Sequence, residues 1–124
     1  MDYEKLLEMA DEAARSAYAP YSDFKVGAAL LASSGKVFLG CNVENASYGA
    51  SICAERAAVA KAVSEGEREY AAIAVSAGKS TAMPCGICRQ VLAEFSPQLE
   101  VIVRKDGRAA VYKLSELLPH RFEL

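Results

Sequence analysis

The chain has 124 residues, 52% hydrophobic and 24% charged, with a formal net charge of −2. That length suits one domain, 1–124, around one core, and the composition excludes a disordered chain. Its 14 Lys and Arg are dispersed among 16 Asp and Glu, which leaves no basic stripe for nucleic acid, and no run is long and apolar enough to cross a membrane. The mean hydropathy of +0.09 is high for so short a chain and predicts some apolar burial at subunit contacts.

The elements follow in chain order. Residues 2–17 predict an amphipathic helix, with Tyr3, Leu6, Leu7, Ala10, Ala14 and Ala17 at helical spacing, broken at Pro20. The acidic opening Met1-Asp2-Tyr3-Glu4 carries no secretory signature, so a cytoplasmic location is expected. In that compartment four cysteines read as metal ligands, catalytic groups or core thiols before disulfides. The runs 25–33 and 36–44 predict two strands joined at Ser34-Gly35, and 44–52 a polar loop. Residues 53–66 predict an Ala-rich helix ended by Gly66, 70–77 a buried strand, 78–84 a loop and 85–95 a helix stopped before Pro97. The runs 99–105 and 109–114 predict strands around an Asp106-Gly107 turn, and 115–119 a short capped helical turn. The order is α-β-β-α-β-α-β-β. It predicts an α/β fold, a three-layer α/β/α sandwich with a five-stranded mixed sheet.

Two of these helices begin at cysteines, Cys53 and Cys85. A helix N-terminus presents unpaired N–H groups and partial positive charge, which favour thiolate, the form that binds metal. Cys85 and Cys88 lie one turn apart on one helix face and suit a single ion. The same pair also fits a redox dithiol, a reading that leaves Cys53 and Glu55 unexplained. If Cys53 reaches the same point, the ion has three protein ligands and an open position, the count of a catalytic rather than a structural zinc. His120 reads as a surface imidazole and Cys41 as a buried thiol at a strand end. Glu55 is a first-turn carboxylate. It suits the helix dipole, and beside a metal it could also move a proton to and from water. Asn42 and Glu44 alternate along an extended segment and so face one way.

"CAERAAVAKAVSEG" and "PCGICRQVLAEF", with "YAPYSDFKVGAAL", "GCNVENASYG" and "SELLP", resemble the small homotetrameric zinc-dependent cytidine deaminases. The resemblance implies hydrolytic deamination of cytidine and 2′-deoxycytidine to the uracil nucleosides and ammonia, in pyrimidine salvage. It implies one Zn²⁺ per chain on Cys53, Cys85 and Cys88, with Glu55 as the proton shuttle. Phe24 then packs by the nucleoside, Asn42 and Glu44 bond the ribose, and the backbone of Ala54 meets the base edge. Arg56 and Gln90 become supporting groups behind the metal. Tyr48 and Phe122 reach a neighbouring subunit's site, so that sites form at the interfaces of a homotetramer. Zinc with three thiolates carries a formal −1 charge, which Arg56 hydrogen bonds to the sulfurs would offset.

Overall fold

Period-2 alternation along the central strands assigns every core residue to one of two faces. In the computed structural model, which describes Met1–Leu124, helix α1 (Tyr3–Ala14) is followed by β1 (Gly27–Ala32) and β2 (Val37–Cys41). Then come a 3₁₀ turn (Tyr48–Ala50), α2 (Ala54–Ser64), β3 (Tyr70–Ser76), α3 (Gly86–Phe95), β4 (Glu100–Lys105), β5 (Arg108–Lys113) and α4 (Leu114–Leu117). The strands form one sheet in the order β2-β1-β3-β4-β5. β3 and β4 are parallel and joined through α3, and the other pairs are antiparallel. The expected mixed five-stranded sandwich is therefore the observed one.

On one face Leu6, Leu7 and Ala10 of α1 pack on Ala29, Ala72, Ala74 and Ile102. On the other, α2 and α3 cover Ala28, Leu30, Ile73, Val75, Val101 and Val103. Adjacent residues such as Ala72 and Ile73, or Val101 and Ile102, thus belong to opposite layers.

Several boundaries differ from the sequence reading; β2, expected over 36–44, ends at Cys41. The first helix ends at Ala14, not at 17. The N–H groups of Arg15, Ser16 and Ala17 bond three residues back, and the chain then straightens because Tyr18 pairs with the backbone of Asn42 and Glu44. The last helix starts at Leu114, ahead of Ser115. Its cap is the Glu116 carboxylate, which accepts the Lys113 N–H at 3.1 Å. The Asp106-Gly107 turn forms as expected, with φ of 53° and 78°.

The register places one end of the sheet under the chemistry. Gly27 pairs with both Cys41 and Ser76, so the start of β1 and the ends of β2 and β3 meet there. The carboxyl ends of parallel strands are the usual ligand edge of an open α/β sheet. Gly40 lets α2 settle onto β2, since a Cβ there would lie 2.4 Å from the Ala54 carbonyl oxygen.

Candidate active site

α2 and α3 begin side by side at this edge. Cys53 and Cys85 are the residues just before each helix, both with extended backbone, and Cys88 lies in the first turn of α3. The three Sγ atoms lie within 4.8 Å of one another, and those of Cys53 and Cys85 are 3.8 Å apart. Zinc–sulfur bonds of about 2.3 Å set at tetrahedral angles give an edge of about 3.8 Å, so the spacing fits a tetrahedral ion. Three soft thiol donors suit zinc over magnesium or calcium. A dithiol switch needs two cysteines, whereas three converge here.

The electrostatics order the thiols. Burial raises the pKa of Cys85, but N–H groups of Cys88 and Ile87 and the thiols of Cys88 and Cys53 outweigh it, leaving it below the ordinary thiol value. Cys88 is fully buried, and burial first, then the charge of Glu55, holds its proton on. A bound cation would displace that proton. Arg56 donates from Nη2 to the Cys53 sulfur at 3.6 Å, and its own pKa is raised chiefly by that bond. Its buried Nε has no partner among the protein groups.

Glu55 is only 4% exposed. Burial raises its pKa, against weaker opposing hydrogen bonds from its own N–H and the Cys88 thiol. A carboxyl group held ready to keep a proton is what a shuttle between water and substrate requires. Glu55 lines a cavity of about 390 Å³ with Cys53, Ala54, Cys85, Phe24, Val26, Asn42, Val75, Thr81, Ala82 and Met83. Its lining is mostly hydrophobic, with Asn42, Glu55 and Thr81 as the polar groups, a composition suited to a flat ring carrying a few polar atoms.

Of the residues singled out in the sequence, the fold gathers Phe24, Asn42, Cys53, Ala54, Glu55 and Cys85 on this cavity, with Cys88 behind them. Asn42 accepts the Val26 N–H and donates to the Phe24 carbonyl, each at 2.8 Å. Glu44 stands apart, in a groove with Tyr21, Ser22 and Tyr48. Its carboxylate accepts the N–H groups of Tyr21 and Ser22 and the Ser22 hydroxyl, and the Ser22 bond leads in lowering its pKa. Tyr48 is 81% exposed. Gln90 exchanges two 3.1 Å hydrogen bonds with the backbone of Phe122, whose ring is exposed beside Ala93 and Pro97. His120 is exposed, and Cys41 is half-buried at the end of β2.

Sequence reasoning missed the wall made by Thr81, Ala82 and Met83, and the role of Arg89. Arg89 donates from Nε to the Pro84 carbonyl at 2.8 Å and from Nη1 to the Leu117 carbonyl at 2.9 Å, fixing the residue before Cys85. The available signal was position: residues 78–84 leave the carboxyl end of a buried strand and lead into a cysteine helix.

Comparison with known proteins agrees with this geometry. Residues 1–104 match the sequence model of the "cytidine and deoxycytidylate deaminase zinc-binding region". A cytidine deaminase of Halalkalibacterium halodurans is 48% identical over 125 residues, covering 98% of this chain and 95% of its own length. The crystal structure of the cytidine deaminase from Burkholderia pseudomallei is 50% identical with a TM-score of 0.92, over 98% of this chain and all of that one. That of the cytidine deaminase from Mycobacterium tuberculosis is 44% identical with a TM-score of 0.88, over 100% and 99%.

Proposed function

The chain belongs to the cytidine and deoxycytidylate deaminase family of zinc-binding enzymes, and from that premise we propose the hydrolytic deamination of cytidine and 2′-deoxycytidine to the uracil nucleosides. The observation that carries the reading is the convergence of three thiols beside a buried carboxyl group, with Cys53, Cys85 and Glu55 lining one cavity.

Cys53, Cys85 and Cys88 would hold the ion. Bound there, zinc supplies a Lewis acid that brings the ionisation of water toward neutral pH. Glu55 takes the proton from the attacking water and delivers it to N3 of the pyrimidine, which makes C4 more electrophilic. Water oxygen bonds to C4, Glu55 then takes the second proton from the new C4 hydroxyl and gives it to the exocyclic amine, and the C4–N bond breaks to release ammonia as the C4 carbonyl forms. Burial raises the pKa of Glu55, which favours its taking up each of the two protons in turn. Arg56 holds its guanidinium against the Cys53 sulfur and offsets thiolate charge. Phe24, Val75 and Ala82 take the faces of the base and exclude bulk water.

Asn42 keeps one free N–H, and Glu44 one free lone-pair site on Oε2, after their bonds to the Tyr21–Val26 segment are counted. We assign the ribose hydroxyls to them. Tyr48 and Phe122 are large aromatic side chains left in the open, at 81% and 68% exposure. That supports a homotetramer in which these rings close neighbouring sites, a state that sedimentation would check. No helix is long and apolar enough to cross a membrane.

The test is ammonia release from cytidine by the zinc-replete protein, beside Glu55→Gln. Release by the parent alone supports both reaction and shuttle. Equal release by the variant would remove Glu55 from the chemistry.

A further inference from the structure

The loop between β3 and α3, residues 77–85, does two jobs. Its first half presents Thr81, Ala82 and Met83 to the cavity, and its end carries Cys85. Within the loop the only backbone hydrogen bond is Ser80 N–H to the Ala77 carbonyl, at 3.2 Å. Ahead of Cys85, the rest of its polar anchoring goes to two arginines.

Arg104, near the end of β4, holds the first half from both of its ends. Its guanidinium donates to the Gly78 carbonyl at 2.9 Å and to the Ser76 hydroxyl at 3.2 Å. Its own carbonyl accepts the Thr81 hydroxyl at 2.7 Å. The guanidinium is held in turn by a bidentate pair with Asp11 of α1, both contacts 2.8 Å, and Asp11 also accepts the Ser76 hydroxyl. Arg89 holds the second half through the Pro84 carbonyl.

Resting on the deaminase reading above, we infer that the Asp11–Arg104 clamp is a positioning device for substrate binding. It fixes the Thr81–Met83 wall opposite Phe24, while Arg89 separately fixes Cys85. The clamp also forms part of a second cavity whose lining includes Phe24, Ala77 and Gly78. The loop wall of the substrate cavity therefore rests on this ion pair through Gly78, whereas the segment bearing Phe24 is held by Asn42 and Glu44. The guanidinium meets both Asp11 oxygens through Nη1 and Nη2, a bidentate geometry that lysine cannot reproduce.

The experiment compares the parent with Arg104→Leu, Arg104→Lys, Asp11→Asn and Arg89→Leu, each as the whole zinc-replete chain. Arg104→Leu should raise KM for cytidine roughly tenfold and leave kcat within about twofold, since a misplaced wall weakens binding without touching the reacting groups. Zinc should stay at one per chain, and the Ser80 N–H, the one hydrogen-bonded amide of the loop, should exchange faster. Arg104→Lys and Asp11→Asn should fall between Arg104→Leu and parent in both readouts. Arg89→Leu should lose zinc while the Ser80 N–H keeps the parent's exchange rate. Unchanged KM and unchanged exchange in Arg104→Leu would overturn the inference. So would a loss of kcat and zinc at constant KM, which would mark a general structural role. If Arg104→Leu fails to fold, Arg104→Lys and Asp11→Asn carry the same test. A parent inactive on cytidine would sink the proposed reaction, and the exchange data would still decide the clamp.

Discussion

The two faces of the sheet use small residues in opposite ways. Beneath α1 the alanines are on the sheet, at Ala29, Ala72 and Ala74, and the bulk comes from Leu6 and Leu7 of the helix. Beneath α2 the alanines are on the helix, at Ala54, Ala58 and Ala62, and the bulk comes from Leu30, Ile73 and Val75 of the sheet. Each helix also sits over a glycine. A Cβ on Gly27 would lie 2.0 Å from the Ala10 carbonyl oxygen of α1, and one on Gly40 2.4 Å from that of Ala54 in α2. The packing device is the same, but only α2 starts beside α3 and carries Cys53 and Glu55 at its end. Close packing beneath α1 produces adhesion. Beneath α2 it also fixes where a catalytic carboxyl group stands.

The largest difference between the faces should come from the metal ligands. Cys85→Ala should lose stoichiometric zinc by metal analysis and nearly all turnover, whereas Leu6→Ala, on the α1 face, should keep zinc and cost about 2–5 kcal/mol of stability. Full zinc retention in Cys85→Ala would break the comparison at its centre. Next come the glycines. Gly40→Ala and Gly27→Ala should each destabilise by about 1–3 kcal/mol in denaturant melts. Only Gly40→Ala should also lower kcat per folded molecule, because it pushes the turn bearing Glu55 off the sheet. Equal kcat in the two variants would show that α2 tolerates the shift.

Smaller effects belong to the ion pair and the phenol under α1. Burial acts to raise the pKa of Asp11, but the Arg104 and Ser76 hydrogen bonds and the guanidinium charge hold it below the usual carboxylate value. A carboxylate with a depressed folded pKa stabilises above its unfolded pKa of about 3.9 and loses that contribution as pH falls through the folded value. Asp11→Asn should thus cost about 1 kcal/mol at neutral pH, with the gap to the parent closing below about pH 4. Melting curves from pH 7 to pH 2 would show it. Tyr3 donates to Glu100, and this bond, with burial and the Glu100 charge, raises its pKa to about 12. A raised pKa gives stability that is complete below the unfolded value and lost as pH rises through the folded one. Tyr3→Phe should cost about 1 kcal/mol up to about pH 10, with the gap closing between there and about pH 12.

Local chemistry made much of this protein legible in its sequence. Strand alternation, the Asp106-Gly107 turn and the helix stops at Gly66 and Pro97 are properties of neighbouring residues, so element order and sheet content could be read directly. The helix-start cysteines and Glu55 were legible for the same reason, since one turn of helix fixes how Cys85 stands to Cys88. The end of α1 was not, because Tyr18 is drawn into extended pairing by Asn42 and Glu44, which are distant in sequence. Nor was the separation of Asn42 from Glu44. Alternation predicts their common direction, but which N–H groups of the Tyr21–Val26 segment they meet depends on how that loop folds back. The loop wall of Thr81–Met83 and its arginine anchors were also decided by tertiary structure. Their partners come from α1, β4 and α4, and a pattern with a period of a few residues carries no record of contacts that far apart in the chain. The sequence determined which groups could bind a metal and move a proton, and only the register of Gly27 with Cys41 and Ser76 decided that they meet at one edge of the sheet.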